Sequence, residues 1–547
     1  MKNANVYTKA ARVALTAALL TASLAHAESV FRIARDSASL ASVNLNPFSG
    51  GSQRLYPTVS AIYETLFYVN SLTGDVENVL GTGYKWDKGN KKLTVTVRDG
   101  VKWSDGTAFT AKDVEFTFDY LKQNPAIDGA ALWKNGLTDV KASGNTVTFT
   151  FKDKNIPVFV YIAHQTIVPQ HIWSKIKDPT TETNTKPVAT GPFLFQSANS
   201  QSIKVVKNPN YWMKGYPKID AIQWEVVGGA DAILLKLLRG DADYSYANIP
   251  DIKNVYVNKN PDTNKFYWPV TGGNYLYFNT AKAPFSDVNF RKAISSAINT
   301  EEVALKAYSG LVKAASPSGI IPTQQGKWLS KSIAAKGVTF DVNKAREYLK
   351  KGGYKVVNGK LTDKSGKTLP TFKILVGAGW TDFITMAQVI GNNLKQIGID
   401  TTIDQQTWGS YSGGLQTGTY DMGISWGWGG GETPYNLFFQ SFAPEFSAKV
   451  GDSAASNLTR YTKSNITSAL KRFQQNSDPA VQKKAIDTIV NQFVTDVPFF
   501  PLTDRVNFTT YNSKNFKGFP TDANPYYDGG ADDQIGARLL FLNLEAK

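Results

Sequence analysis

The sequence contains no cysteine in 547 residues. An exported chain without cysteine has no disulfide framework and no thiolate metal site. Histidine is almost as scarce, with three in the whole chain. One of these, His26, falls in the N-terminal leader described below. The remaining two, His164 and His171, cannot build a histidine-rich metal centre, and no HExxH pattern exists. Their separation of seven could place both on one helix face, but Ile167-Val-Pro-Gln-His-Ile-Trp173 reads as a structural turn, so both are assigned to structure. The Gly427–Gly431 region matches neither GxxxxGK[ST] nor GxGxxG, so it reads as permissive backbone near a ligand rather than a phosphate cradle. No stretch reaches the ~20 apolar residues that a spanning helix needs. Neither a metal nor a cofactor is expected.

What is present begins with an export signal. Lys2, Lys9 and Arg12 form a positive n-region, Val13 to Leu24 is apolar, and Ala25-His26-Ala27 is a small-x-small cleavage site. The mature chain is expected to start at Glu28. At ~150 residues per domain, Glu28–Lys547 makes about three domains. The formal charge is +15, but Lys and Arg are dispersed singly, often beside Asp or Glu. Without a basic arm or block this is a solvated surface and not a nucleic-acid footprint, although it would help docking to anionic membrane or transporter surfaces.

Strand and helix patterns alternate along the chain. Leu93–Arg98 and Thr146–Lys152 alternate apolar and polar residues as half-buried strands do. Between them Thr110-Ala-Lys-Asp113 is a capping box opening a helix with the stripe Val114, Phe118 and Leu121. Further helices follow Phe290, Ala293, Ile294, Ala297 and Ile298; Ala345, Tyr348 and Leu349 behind Asp341; and Ile384, Ala387, Ile390, Leu394 and Ile397. Ile399–Ile403 and Met422–Trp426 read as strands. The pattern is α/β with open-sheet character.

Several segments in fixed order carry a resemblance. They are Leu45-Asn-Pro-Phe48; Trp103-Ser-Asp-Gly-Thr-Ala-Phe-Thr-Ala-Lys-Asp-Val-Glu-Phe-Thr-Phe118; Pro187-Val-Ala-Thr-Gly-Pro-Phe193; Lys207-Asn-Pro-Asn-Tyr-Trp212; Leu238-Arg-Gly-Asp-Ala-Asp243; and Tyr277-Phe-Asn-Thr280 with Pro284–Ala293. Together they resemble the family 5 (cluster C) extracellular solute-binding proteins of ABC importers, which take peptides, nickel or oligosaccharides. The resemblance implies a bilobed periplasmic-binding-protein fold of type II with an additional inserted domain. It divides the chain into lobe 1 (28–71, 187–283 and 507–547), an inserted domain (72–186) and lobe 2 (284–506), after a leader of 1–27. It implies a non-catalytic monomer that closes around a small solute and hands it to permease subunits at the membrane. With no cysteine to carry a lipid, the protein is expected free in a periplasm.

For the ligand, the family's peptide carriers place an Asp just after the Trp of a W-x-x-D-like segment. Here Ser425-Trp-Gly-Trp-Gly-Gly-Gly-Glu-Thr-Pro-Tyr-Asn436 has Gly at that place, and Glu432 is the only acid nearby. Gly379-Trp-Thr-Asp382 and Ser425-Trp426 instead resemble the family's cello-oligosaccharide-binding branch. The chain's 12 Trp suit the apolar faces of sugar rings, and rigid rings lose little entropy on binding. Trp86, Trp103, Trp173 and Trp224 sit in strand or turn settings and are read as structural. The expected ligand residues are Trp380, Trp426 and Trp428, which flank Gly at element ends, with Trp408, Trp212, Asp382, Glu432 and Asn436. Asp382 could equally cap the helix that follows it. The leading expectation is a neutral oligosaccharide. An oligopeptide held by Glu432 is the alternative, and a secreted glycosidase with a carboxylate pair is a remote third.

Overall fold

The computed structural model describes residues 28–36, 42–50, 54–334, 336–427, 431, 433–530 and 534–547. The leader, Trp428 and Glu432 therefore lie outside the described residues. Three sheets organise the chain. A seven-stranded sheet runs Asn264–Tyr267, Thr509–Asn512, Tyr244–Tyr246, Val30–Asp36, Ala221–Val227, Ser202–Lys207 and Phe193–Ala198 from edge to edge. A five-stranded sheet runs Thr401–Gln406, Phe372–Gly377, Met422–Trp426, Val270–Phe278 and Phe499–Val506. The third, Gly81–Trp86, Lys92–Val97, Thr146–Phe151 and Leu137–Ser143, is wholly antiparallel and lies within the segment expected as an insertion.

Val270–Phe278 pairs into the five-stranded sheet, so the chain crosses between sheets near Pro269 rather than at the expected Pro284. The return crossing is at Asn507. The two connections lie side by side: the Asn507 N–H donates to the Pro269 carbonyl at 3.2 Å, and Trp268 meets Phe508 edge-on at 5.2 Å. Asn507 is held further by the hydroxyls of Tyr246 and Thr271, which donate to its Oδ1. A ribbon of two short connections is the natural place for the lobes to rotate about.

Local chemistry explains the expected elements. Thr110 caps the helix Ala111–Gln123, accepting from the Lys112 N–H at 3.2 Å, while Asp113 accepts from the Thr110 N–H at 2.9 Å. Trp103 is buried behind this turn, as are Trp173 and Trp224 in the first core, and Trp86 is half-buried against Phe151. Several segments of the resemblance act as fasteners. Asn208 donates to the Gly191 carbonyl, Asn279 to those of Gly418 and Tyr420, and the buried Arg291 to those of Phe285, Asp496 and Val497. At Gly191 a Cβ would lie 2.2 Å from the Ile62 carbonyl oxygen, so only glycine fits.

The element ends shift by a few residues. The helix Val288–Ala297 stops before Ile298, Thr381–Lys395 stops before Ile397, and the strand expected at Ile399–Ile403 is Thr401–Gln406. His164 and His171 do not share a helix, because Pro169 separates Phe159–Ala163 from Gln170–Trp173. His171 pairs with Asp105 at 2.7 Å.

Candidate functional site

Phe372–Gly377, Thr401–Gln406 and Met422–Trp426 are parallel neighbours in the five-stranded sheet. Their carboxyl ends lead to Trp380, to Trp408 and, within the third strand, to Trp426. Open α/β sheets present ligands at such an edge. The three indoles meet there. Trp380 lies 6.0 Å from Trp408 and 5.6 Å from Trp426, while Trp408 and Trp426 are parallel within 2° at 6.1 Å. Gly377 makes room for the first of them, since a Cβ there would lie 2.4 Å from the Trp380 ring.

The rings differ in exposure. Trp380 is half-buried and packs against two core clusters, with Tyr411 at 5.0 Å and Phe383 at 5.5 Å. Trp408 is 46% exposed, high for a residue type that is mostly buried. The Arg505 guanidinium lies 5.4 Å from the centre of the Trp426 ring. Beside the cluster, Thr381 accepts from Asn248 of the seven-stranded-sheet lobe at 3.4 Å, which turns this end of the helix toward the opposite lobe.

Asp382 does not cap its helix, whose N-cap is Trp380. It sits buried behind the aromatic cluster, accepting from the Tyr308 hydroxyl at 3.0 Å. Tyr308 in turn accepts from Asn274, which also donates to Thr503. Burial raises the Asp382 carboxyl above its ordinary range, while the Tyr308 bond and Arg505 oppose the shift. Asp382 thus braces the site from beneath.

A larger cavity of about 820 Å³ opens between the inserted domain and the five-stranded-sheet lobe. One wall carries Tyr84 stacked on Phe159 at 4.0 Å; the other carries Tyr435 stacked on Phe473 at 4.7 Å, with Trp328 beside it. The two walls are joined by the Tyr161 hydroxyl, which donates to Asn436 Oδ1 at 2.8 Å and accepts from Gln440 at 3.0 Å. Asn436 therefore belongs to this cavity. Gly431, five residues beyond Trp426 in sequence, is in its lining. Five residues reach at most ~18 Å, so the aromatic cluster and the cavity are near neighbours.

His164 lines the same cavity. Its Nε2 accepts from the Val69 N–H at 2.9 Å, and burial depresses its pKa to about 4. A histidine depressed from 6.5 when folded takes up its proton more readily when unfolded. The stability it gives is complete above pH 6.5 and is lost as pH falls toward 4. Thermal melts between pH 7 and 4 should fall steeply, and His164→Gln, which keeps an acceptor but cannot titrate, should flatten part of that slope. Equal slopes for the two proteins would remove this role.

Trp212 is not brought to the aromatic cluster. Its Nε1 donates to Glu64 at 2.9 Å, and its ring lies 4.2 Å from the Arg98 guanidinium and 5.8 Å from that of Arg538. This is a buried charge network in the first lobe, and it corrects the expectation of a ligand contact. Tyr411, Arg505, Tyr161 and Trp328 were missed from sequence. Only Tyr411 had a local signal, three residues beyond Trp408 on the helix Trp408–Thr417. Among the described residues no group of three or more His, Asp or Glu is placed to hold a metal, and no helix is long and apolar enough to cross a membrane.

Residues 75–448 match the family described as bacterial extracellular solute-binding proteins, family 5 middle. The glutathione-binding protein GsiB of Salmonella typhi is 25% identical over 487 residues, covering 87% of this chain and 89% of that protein. The mannohexaose-bound periplasmic oligopeptide-binding protein of Thermotoga maritima superposes with a TM-score of 0.87 at 26% identity, over 95% of this chain and 99% of that one. The periplasmic binding protein DppA of Helicobacter pylori, in complex with the peptide STSA, shares the fold with a TM-score of 0.77 at 21% identity, over 95% and 98% of the two chains.

Proposed function

The chain belongs to family 5 of the bacterial extracellular solute-binding proteins, the substrate-binding components of ABC importers, and from that premise we propose that it captures a neutral oligosaccharide. The observation that carries this reading is the convergence of Trp380, Trp408 and Trp426 at the carboxyl ends of three parallel strands, with two parallel indole faces and one of them exposed. Sugar rings present apolar C–H faces to such indoles, while amide and hydroxyl groups meet their hydroxyls without any charge on the ligand. Mannohexaose in the Thermotoga maritima relative supports it. We keep Trp428 and Glu432 in the proposed site by their place in sequence between Trp426 and Asn436, and Asn436 through the cavity itself.

The proposed division is a first lobe on the seven-stranded sheet, an inserted domain on the four-stranded sheet and a second lobe on the five-stranded sheet. The cavity is lined from both sides, so a ligand that fills it favours the closed form over the open one. Release into a periplasm after loss of residues 1–27, action as a monomer and docking of the closed form on permease subunits complete the proposal. The family's work is non-enzymatic transport, and no turnover of the sugar is expected.

A second reading, an oligopeptide ligand, draws on the relatives named for glutathione and oligopeptides. Calorimetric titration of the mature chain, refolded to strip carried ligand, separates the two. Saturable micromolar binding of α- or β-linked oligosaccharides, without binding of short peptides, is the expected result. Binding of peptides alone, lost when their amino terminus is acetylated, would replace it with the peptide reading. Sugar cleavage on prolonged incubation would instead revive a glycosidase.

A further inference from the structure

Away from the aromatic cluster, the helices Val288–Ala297, Val342–Lys351 and Pro479–Asp496 of the second lobe enclose part of a cavity of about 420 Å³. Its lining includes Lys292, Lys336, Lys344, Ser296, Tyr348 and Asn491. It shares no residue with the aromatic cluster or the larger cavity. The loop at its rim is fixed by Gly337, where φ is +142° and a Cβ would lie 2.3 Å from Pro317, so the approach requires glycine.

The lining is rich in donors of one sign. Lys336 Nζ donates to Asn491 Oδ1 at 2.7 Å, which holds its ammonium at the rim. Among the described residues, none of the three lysines is ion-paired. The neighbouring carboxylates are engaged elsewhere. Asp341 caps its helix through the Lys344 N–H, and Asp496 accepts from Tyr461 and Gln492. Burial, with Lys351 and Arg291 nearby, lowers the Lys292 ammonium below its ordinary range, and Asp496 only partly opposes this. Ser296 is wholly buried and lines the cavity, and its hydroxyl has no hydrogen-bond partner. A buried hydroxyl without a partner calls for an explanation, and so do unpaired like charges gathered on one cavity.

An acceptor-rich anion supplies both. We propose that this cavity binds a phosphate group, with Lys336 and Lys344 at the rim, Lys292 below them and the Ser296 hydroxyl as a neutral donor. Charge-assisted bonds from ammonium to phosphate oxygen are strong for their size, and a Lys ammonium acts as a compact point charge with three donors. The phosphate has two possible sources: the free ion, or the headgroup of an anionic phospholipid at the membrane where the protein's basic surface would bring it.

Inorganic phosphate is titrated by calorimetry into the full mature chain in chloride buffer at low ionic strength, and the chain is separately sedimented with phosphatidylglycerol or phosphatidylcholine vesicles. The wild type is expected to bind phosphate at one saturable site. Lys336→Gln with Lys344→Gln should weaken binding at least tenfold without changing the melting temperature, because both side chains are exposed. Ser296→Ala, a small change at a buried position, should weaken it several-fold. Sedimentation with phosphatidylglycerol that is lost in the double variant, without binding of the free ion, assigns the headgroup as the source. Phosphate binding without sedimentation assigns the free ion. If neither phosphate nor vesicle binding depends on Lys336 and Lys344, the proposal fails.

Discussion

Replacing Trp408 by alanine should weaken oligosaccharide binding by about 1–3 kcal/mol, or roughly five- to over a hundredfold, while leaving the melting temperature nearly unchanged. The asymmetry follows from the ring's position. At 46% exposed, Trp408 supports little of the core, yet its face lies parallel to Trp426 at 6.1 Å and lines the edge where a sugar would enter. Exposed substitutions away from special features usually move stability by less than ~0.5 kcal/mol. Trp426→Ala should cost as much in binding but also destabilise, since that ring packs against the second core and under Arg505. Trp380→Ala should do the same, because the indole bridges two hydrophobic clusters. Trp408→Phe, which keeps a smaller face, should fall between wild type and alanine. Calorimetry with the tightest-binding sugar, paired with melting curves, reads both quantities. Unchanged affinity in both Trp408→Ala and Trp426→Ala would remove stacking as the basis of recognition.

The aromatic cluster was legible in the sequence for a physical reason. A strand that hands over to a helix places its last residues at one edge of a parallel sheet, and Gly379-Trp380, Thr407-Trp408 and Trp426-Gly427 each mark such a handover. The capping box at Thr110 was legible because its partners are three residues apart. Contacts that depend on distant segments were not. Tyr161 meets Asn436 across 275 residues, so the cavity wall had no local signature. Trp212 has the look of a ligand residue until Glu64 and Arg538 are placed around it, and Glu64 lies 148 residues from it in sequence. The crossover at Pro269 has no local signature, because Val270–Phe278 lacks an alternation that would reveal its sheet: it is buried along nearly its whole length.

The same buried network yields the largest stability effect expected of a single substitution. Glu64 is 2% exposed, and Arg538 Nε donates to its Oε1 at 2.8 Å. The Tyr211 hydroxyl donates to that oxygen at 2.8 Å and accepts from Arg538 at 2.7 Å, while Trp212 takes Oε2. Every polar atom of the carboxylate is thus used, and the pair ties the C-terminal helix Ala537–Asn543 to the turn after Thr58–Ile62. Glu64→Ala leaves a guanidinium buried without its counter-charge. Removing one partner of such a pair costs about 3–5 kcal/mol, and the first lobe should melt ~5–15 °C lower. Glu64→Gln, which keeps an acceptor for Trp212 but not the charge, should lose less. Glu64→Leu combined with Arg538→Met removes both charges and should recover much of the loss, since the desolvation of the pair disappears with it. By contrast Lys112→Ala, at a largely exposed partner of Glu115, should change stability by less than ~1 kcal/mol. Denaturant unfolding of the four variants decides the matter. If Glu64→Ala is no worse than Lys112→Ala, water reaches the pair and the network does not hold the lobe together; if the double variant is as unstable as Glu64→Ala, the loss lies in packing and in the orphaned Tyr211 and Trp212 donors rather than in the unpaired charge.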